Sequence, residues 1–252
     1  MRTIALALLL AATAVQAETY DPKLDRQRYE GCVKALEVDA AKAEQFAVEW
    51  QALGGGLPAR HCQALAQLHR GQYAAAAQTL AKAAQAAETA KSPMVADFWG
   101  QAGNAAFLAA DSKAAVGYFT SAITAAGDYA PQRKANLLID RARAQTDLGD
   151  LPAARADLDK AIELNRDDPF AWMLSAALAR RQGDMLRASS DISRASTLAP
   201  ADPDVMFEQA NIAHANNDDA AARQVWERVV KIAPGSEAAT LSAKALAGEM
   251  PK

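Results

Sequence analysis

The sequence predicts an all-α chain, built as a linear array of stacked antiparallel helix pairs. Alanine is abundant while valine and threonine are scarce, a bias that favours helices and leaves little material for strands. Several features recur at a fixed spacing of 34 residues, and each recurrence carries a helix start or a helix stop.

The first element is an export signal. Arg2 is the only early charge, an apolar run extends from Ile4 to Val15, and Val15-Gln16-Ala17 places small residues where a signal peptidase reads them, so cleavage is expected after Ala17. A membrane anchor needs about 20 apolar residues, and the run is shorter. The expected location is the periplasm. Formal charge is −3, and loss of Arg2 with residues 1–17 takes it to −4. A weakly acidic chain without a Lys/Arg block excludes nucleic acid as a partner class, and no later segment is long enough to span a bilayer.

Residues 18–56 follow as an N-terminal helical cap carrying Cys32, with helices expected over 29–39 and 41–53. The Gly54-Gly55-Gly56 triplet then permits a reversal. Cys32 and Cys62 are the two cysteines of the chain. In an oxidising compartment such a pair forms a disulfide, worth roughly 3 to 4 kcal/mol by loop closure. A metal site from Cys32, Cys62, His61 and His69 is the weaker reading, because no C-x-x-C or H-x-x-x-H pair aligns two ligands on one helix face.

Residues 57–236 hold the repeats. Asp168-Pro169 is echoed by Asp202-Pro203; Ala154, Ala188 and Ala222 form one column; Leu164, Leu198 and Ile232 form another. Gly149-Asp150, Gly183-Asp184 and Asn217-Asp218 form a third, and Pro200 and Pro234 a fourth. Asp before Pro caps a helix whose first position tolerates the missing N–H. Gly or Asn before Asp ends one helix in a left-handed residue and caps the next. The alanine column lets two antiparallel helices approach closely. One unit is thus a helical hairpin that must stack on its neighbours to bury its apolar face.

These columns resemble the tetratricopeptide repeat. Units 135–168, 169–202 and 203–236 match it through Leu138, Trp172 and Met206 at the fourth position, Ala142, Ala176 and Ala210 at the eighth, Ala154, Ala188 and Ala222 at the twentieth, and Leu158, Ile192 and Trp226 at the twenty-fourth. Unit 96–129 fits through Trp99, Gly103, Ala115, Phe119 and Ala122, and unit 57–90 more weakly through Ala64, Gly71, Tyr73, Ala76, Leu80 and Ala83. The first two steps are 39 residues, so about five extra residues lengthen each connection. Arg60 and Arg141 replace apolar residues, which predicts less regular packing there. The resemblance implies a right-handed superhelix, closed by a capping helix and tail over 237–252 that turns Leu241, Ala245 and Leu246 inward.

The resemblance also implies that the first helix of each hairpin lines a concave groove. Its ligand positions correspond to Asp97, Gln101, Asn104 and Phe107; Asn136, Ile139, Asp140 and Arg143; Phe170, Met173, Leu174, Arg180 and Arg181; and Phe207, Glu208, Asn211 and His214. Phe170, Met173 and Phe207 are expected to form an apolar patch, or to fill the gaps between hairpins, with Arg180-Arg181 as a carboxylate or phosphate reader. The clamp by which some family members hold a terminal carboxylate is missing. Asn104 matches it, but Gly100 replaces a Lys, and Asp140, Asp204 and Glu208 occupy positions that want neutral or basic residues.

No catalytic constellation is present: G-x-S-x-G, H-E-x-x-H and G-x-x-x-x-G-K-[ST] are all absent. Carboxylates such as Asp157 and Asp159, two apart on a helix, point to different sides and read as a solvated face. The expected function is therefore a non-enzymatic periplasmic scaffold, without cofactor or metal, that binds a segment of an envelope protein in the groove. The alternatives are a non-catalytic accessory domain of peptidoglycan metabolism and a self-associating structural protein.

Overall fold

The computed structural model describes residues 22–127 and 130–249; the expected signal segment lies outside them. Twelve helices and no strand occur among the described residues. The order is α1 (Pro22–Ala52), α2 (Gly56–His69), α3 (Tyr73–Thr89), α4 (Val95–Leu108), α5 (Ser112–Ala126), α6 (Pro131–Asp147), α7 (Leu151–Leu164), α8 (Pro169–Gln182), α9 (Met185–Leu198), α10 (Pro203–Ala215), α11 (Asp219–Ile232) and α12 (Glu237–Leu246). None of them is long and apolar enough to cross a membrane.

Helix boundaries follow the sequence signals closely. Asp168 accepts from the backbone N–H of Phe170 and Ala171, and Asp202 from Asp204 and Val205, with Pro169 and Pro203 opening the helices. Within each hairpin the turn is left-handed, as at Gly183 (φ 77°), and the following Asp184 accepts from the Arg187 N–H. Asn217 (φ 65°) and Asp218 repeat this arrangement one unit later.

The hairpins are α2–α3, α4–α5, α6–α7, α8–α9 and α10–α11, and small residues set how closely their helices approach. Ala64, Ala142, Ala176 and Ala210 on the first helices face Ala76, Ala154, Ala188 and Ala222 on the second, and all are buried. Gly103 takes the corresponding place in α4. A Cβ there would lie 2.5 Å from the ring of Phe119, so the close approach of that ring requires glycine. The longer steps are absorbed by helix length: α3 and α6 have 17 residues, against 14 in α7.

Where Arg141 replaces an apolar residue, the packing stays ordered. Its guanidinium donates to both oxygens of Asp157 at 2.7 Å and to Thr120 Oγ1 at 3.1 Å, tying α6 to α7 and α5. Asp157 is therefore buried in an ion pair rather than lying on a solvated face. One unit on, Ser175 and Asp191 occupy the equivalent places and share a 2.6 Å hydrogen bond, with Arg155 donating to Ser175 Oγ at 2.6 Å. Asp159 is exposed and pairs with Arg187.

The N-terminal segment forms its own helical pair. Asp39 breaks α1 (φ −158°, ψ 88°), and Trp50 Nε1 donates to Asp25 Oδ1 at 3.1 Å across the break, so the two limbs fold back on one another. Cys32 and Cys62 form a disulfide (Cα–Cα 6.2 Å) that joins the first limb to α2. At the other end α12 covers α10 and α11. Its buried stripe is Ala238, Ala239, Ser242 and Ala245, and Leu241 and Leu246 flank it half-buried rather than pointing fully inward.

Candidate functional site: the face of the first helices

Successive first helices touch each other directly, and their side chains form rungs along one face. His61 of α2 meets Gln101 of α4 at 2.9 Å; Arg133 of α6 meets Asp97 of α4 at 3.1 Å; Arg180 of α8 meets Glu208 of α10 at 2.7 Å. The Arg143 guanidinium lies 5.1 Å above the Phe107 ring and 3.6 Å from Asp140. Burial holds the Asp140 carboxyl above the usual carboxylate range, against the opposing pull of Arg143.

The expected groove residues divide into three groups. Met173 and Ile139, both at the fifth position of a unit, are 8% and 3% exposed and belong to the core, so neither contributes to a ligand-facing patch. The preceding unit is tight at this column too: a Cβ at Gly100, its fifth position, would lie 3.0 Å from Leu137 of the next first helix. Glu208 and Asn211 are buried as well. Asn211 donates to Glu208 at 3.2 Å and accepts from Trp226 Nε1 at 3.3 Å, while Glu208 takes a two-point contact from Arg180. Arg180 is thus engaged within the protein and does not stand beside Arg181 as a paired anion reader.

The third group remains accessible: Asn104, Asn136, Arg143, Phe170 and Arg181 are exposed, and Asp97, Gln101, Phe107, Asp140, Leu174, Phe207 and His214 are half-buried. Phe170 is 40% exposed. His214 Nδ1 lies 2.5 Å from Asp219. Between α6 and α8 a cleft of 170 Å³ has Leu158, Leu174 and Leu178 as its apolar floor and Arg143 and Arg181 at its edge, with no acidic residue in its lining.

A second, more apolar cavity of 340 Å³ opens at the N-terminal end of the same face, among Arg26, Tyr29, Leu57, His61, Met94 and Phe98. His61 Nδ1 accepts from the Tyr29 hydroxyl at 2.8 Å, and its Nε2–H donates to Gln101, which fixes one neutral tautomer. Burial lowers the pKa of this imidazole, with Gln101 and Asp97 opposing. The groove positions named from sequence omit this cavity, although His61 occupies the fifth position of unit 57–90 and could be carried over with the others. His61 and Cys62 are held by these bonds and by the disulfide, and His69 is exposed, so the histidines and cysteines do not converge.

The family model of the tetratricopeptide repeat matches residues 135–168. No curated protein matches the chain. Among solved structures, a tetratricopeptide repeat protein from Parabacteroides merdae is similar, with a TM-score of 0.69 and 14% identity over 88% of each chain. PilW, a type IV pilus biogenesis factor, gives a TM-score of 0.65 and 15% identity over 87% of this chain and 98% of its own. YrrB, a tetratricopeptide repeat protein with an unusual peptide-binding site, gives 0.52 and 18% over 74% and 91%. Identities this low establish the fold alone. Residues 135–168 match the tetratricopeptide repeat, and with equivalent hairpins stacked on both sides the described residues have the fold of a tetratricopeptide repeat protein, a fold that points to a protein–protein interaction scaffold.

Proposed function

We propose that this protein is an exported scaffold that binds a polypeptide segment of an envelope protein along the face of its first helices. The observation that carries this reading is the cleft between α6 and α8, where an apolar floor suited to a side-chain anchor lies beside Arg143 and Arg181. Arg181 is exposed and makes no ion pair within the described residues, so its charge is free for an acidic group of the bound segment. The peptide-binding site of YrrB and the part of PilW in pilus biogenesis agree with a scaffold of this type. Export and a periplasmic location rest on the leader-like residues 1–17 and on the Cys32–Cys62 disulfide, a bond that persists in oxidising compartments.

The test is a crosslinking pull-down from an envelope extract, using the mature chain and the Arg143→Glu/Arg181→Glu variant. Recovery of one envelope protein by the native chain and its loss from the variant, with helicity unchanged, is the expected result. Equal recovery by both proteins overturns the assignment of the cleft.

A further inference from the structure

The two ends of the array are finished differently. At the C-terminal end α12 covers the last hairpin, whereas the outer side of α1 has no covering element among the described residues. Six of the twelve exposed large apolar residues among the described residues lie in α1 and just after it: Leu24, Val33, Val38, Phe46, Val48 and Leu53. Helical spacing separates two faces of this hairpin. Asp25, Cys32 and Leu36 on the first limb and Ala43, Ala47 and Trp50 on the second are buried. The series Leu24, Arg28, Gly31, Ala35 and Lys42, Phe46, Glu49, Leu53, each spaced i, i+4, i+7, i+11, occupy a different side of their limbs.

Between those two series runs an open cleft of 510 Å³ that includes Arg28, Gly31, Ala35, Lys42, Ala43 and Phe46. Its floor is made of small residues, and a Cβ built on Gly31 meets nothing within 4 Å. Phe46 stands at its edge, 39% exposed, and Leu53 beyond it is 67% exposed. Such a cleft with a large side chain beside it has the form of a hole and a knob on one surface. The charges are arranged to match: Lys42, which pairs with Asp39 at 3.3 Å yet keeps its side chain 83% exposed, lies about one helical turn before Phe46, and Glu49, which accepts from Gln45, lies about one turn after it.

We infer that this end face is a two-fold interface between two copies of the chain, in which Phe46 of each copy enters the Gly31–Ala35–Ala43 cleft of the other. A two-fold axis beside Phe46 runs the second limbs antiparallel. It therefore sets Lys42 of one copy opposite Glu49 of the other, twice over, as an isologous contact requires. A second copy is favoured over an unrelated helix because the complements of Phe46 and of Lys42, a hole and an anion, are already present on the face itself. The pairing does not involve the first-helix face, so it stands independently of the proposed peptide binding.

Sedimentation equilibrium of the disulfide-intact mature chain over a concentration series tests this. The native protein should dimerise, and Phe46→Glu should weaken dimerisation by about thirty-fold or more. Gly31→Leu, whose Cβ meets nothing within 4 Å in the monomer and whose side chain fills the hole, should do the same. Lys42→Glu should weaken the dimer and Lys42→Glu/Glu49→Lys should restore it, a recovery that a merely structural role for either residue does not produce. Circular dichroism identifies any variant that has lost its fold. A chain that stays monomeric throughout, or a dimer unmoved by Phe46→Glu and Gly31→Leu, overturns the inference; binding of a foreign helix by a monomeric native chain overturns it as well.

Discussion

Two alanine substitutions on buried helix faces should act with opposite sign, because one adds an atom where there is no room and the other removes an unsatisfied one. Gly103→Ala improves helix propensity by about 1 kcal/mol. Its Cβ would lie 2.5 Å from the Phe119 ring, which is enclosed and cannot swing away. Overpacking of this kind costs about 1 to 3 kcal/mol, so the variant should lose about 1 kcal/mol in urea unfolding. Ser242 is fully buried in α12, and its hydroxyl has no hydrogen-bond partner among the described residues. Ser242→Ala removes that desolvated group and improves helix propensity, so it should gain about 1 kcal/mol in the same measurement. Ser175 is the contrasting case: equally buried, its hydroxyl is satisfied by both Arg155 and Asp191.

At the scale of the element, caps and turns were legible because their chemistry is local. An Asp before a Pro, or a Gly before an Asp, acts on backbone groups within a few residues, and the helices begin and end accordingly. Which side of a first helix faces a ligand was only partly legible. Ile139 and Met173 look like groove residues by position, yet the fifth column packs against the next hairpin, a relation set by the stacking of units rather than by any one of them. Asp157 looks like a surface residue for the same reason, since its partner Arg141 sits on the other helix of the hairpin. The joint between α1, α2 and α4 carries a pH dependence. His61 is held neutral between Tyr29 and Gln101, with Asp25, Arg26 and Asp97 the charged groups around it. Its folded pKa lies below the unfolded value of about 6.5, so its contribution is fully present above that pH and is lost as pH falls through the folded value. The native chain should therefore melt at a lower temperature at pH 5 than at pH 7.5, and His61→Gln should show a smaller difference between the two. An equal difference in both proteins would remove His61 as its source.

Across the whole molecule, each hairpin contacts chiefly the units on either side of it, so stability is a sum of local terms and neighbour interfaces. Trp226 of α11 makes that sum measurable. It is buried among Ala210, Ala222 and Ala245, and its indole N–H donates to Asn211, so one side chain joins α10, α11 and α12. Trp226→Ala should cost about 3 to 5 kcal/mol at that site. In a globule with a single core the loss would be felt throughout. Here the apolar clusters at the two ends share no residue, and the first limb of α1 is tied to α2 by the Cys32–Cys62 disulfide. Native-state hydrogen exchange should therefore show protection falling in α10, α11 and α12 while α2, α3 and α4 keep their native rates. A uniform fall along the chain would mean that the units unfold together, and that the interfaces between hairpins outweigh the hairpins themselves.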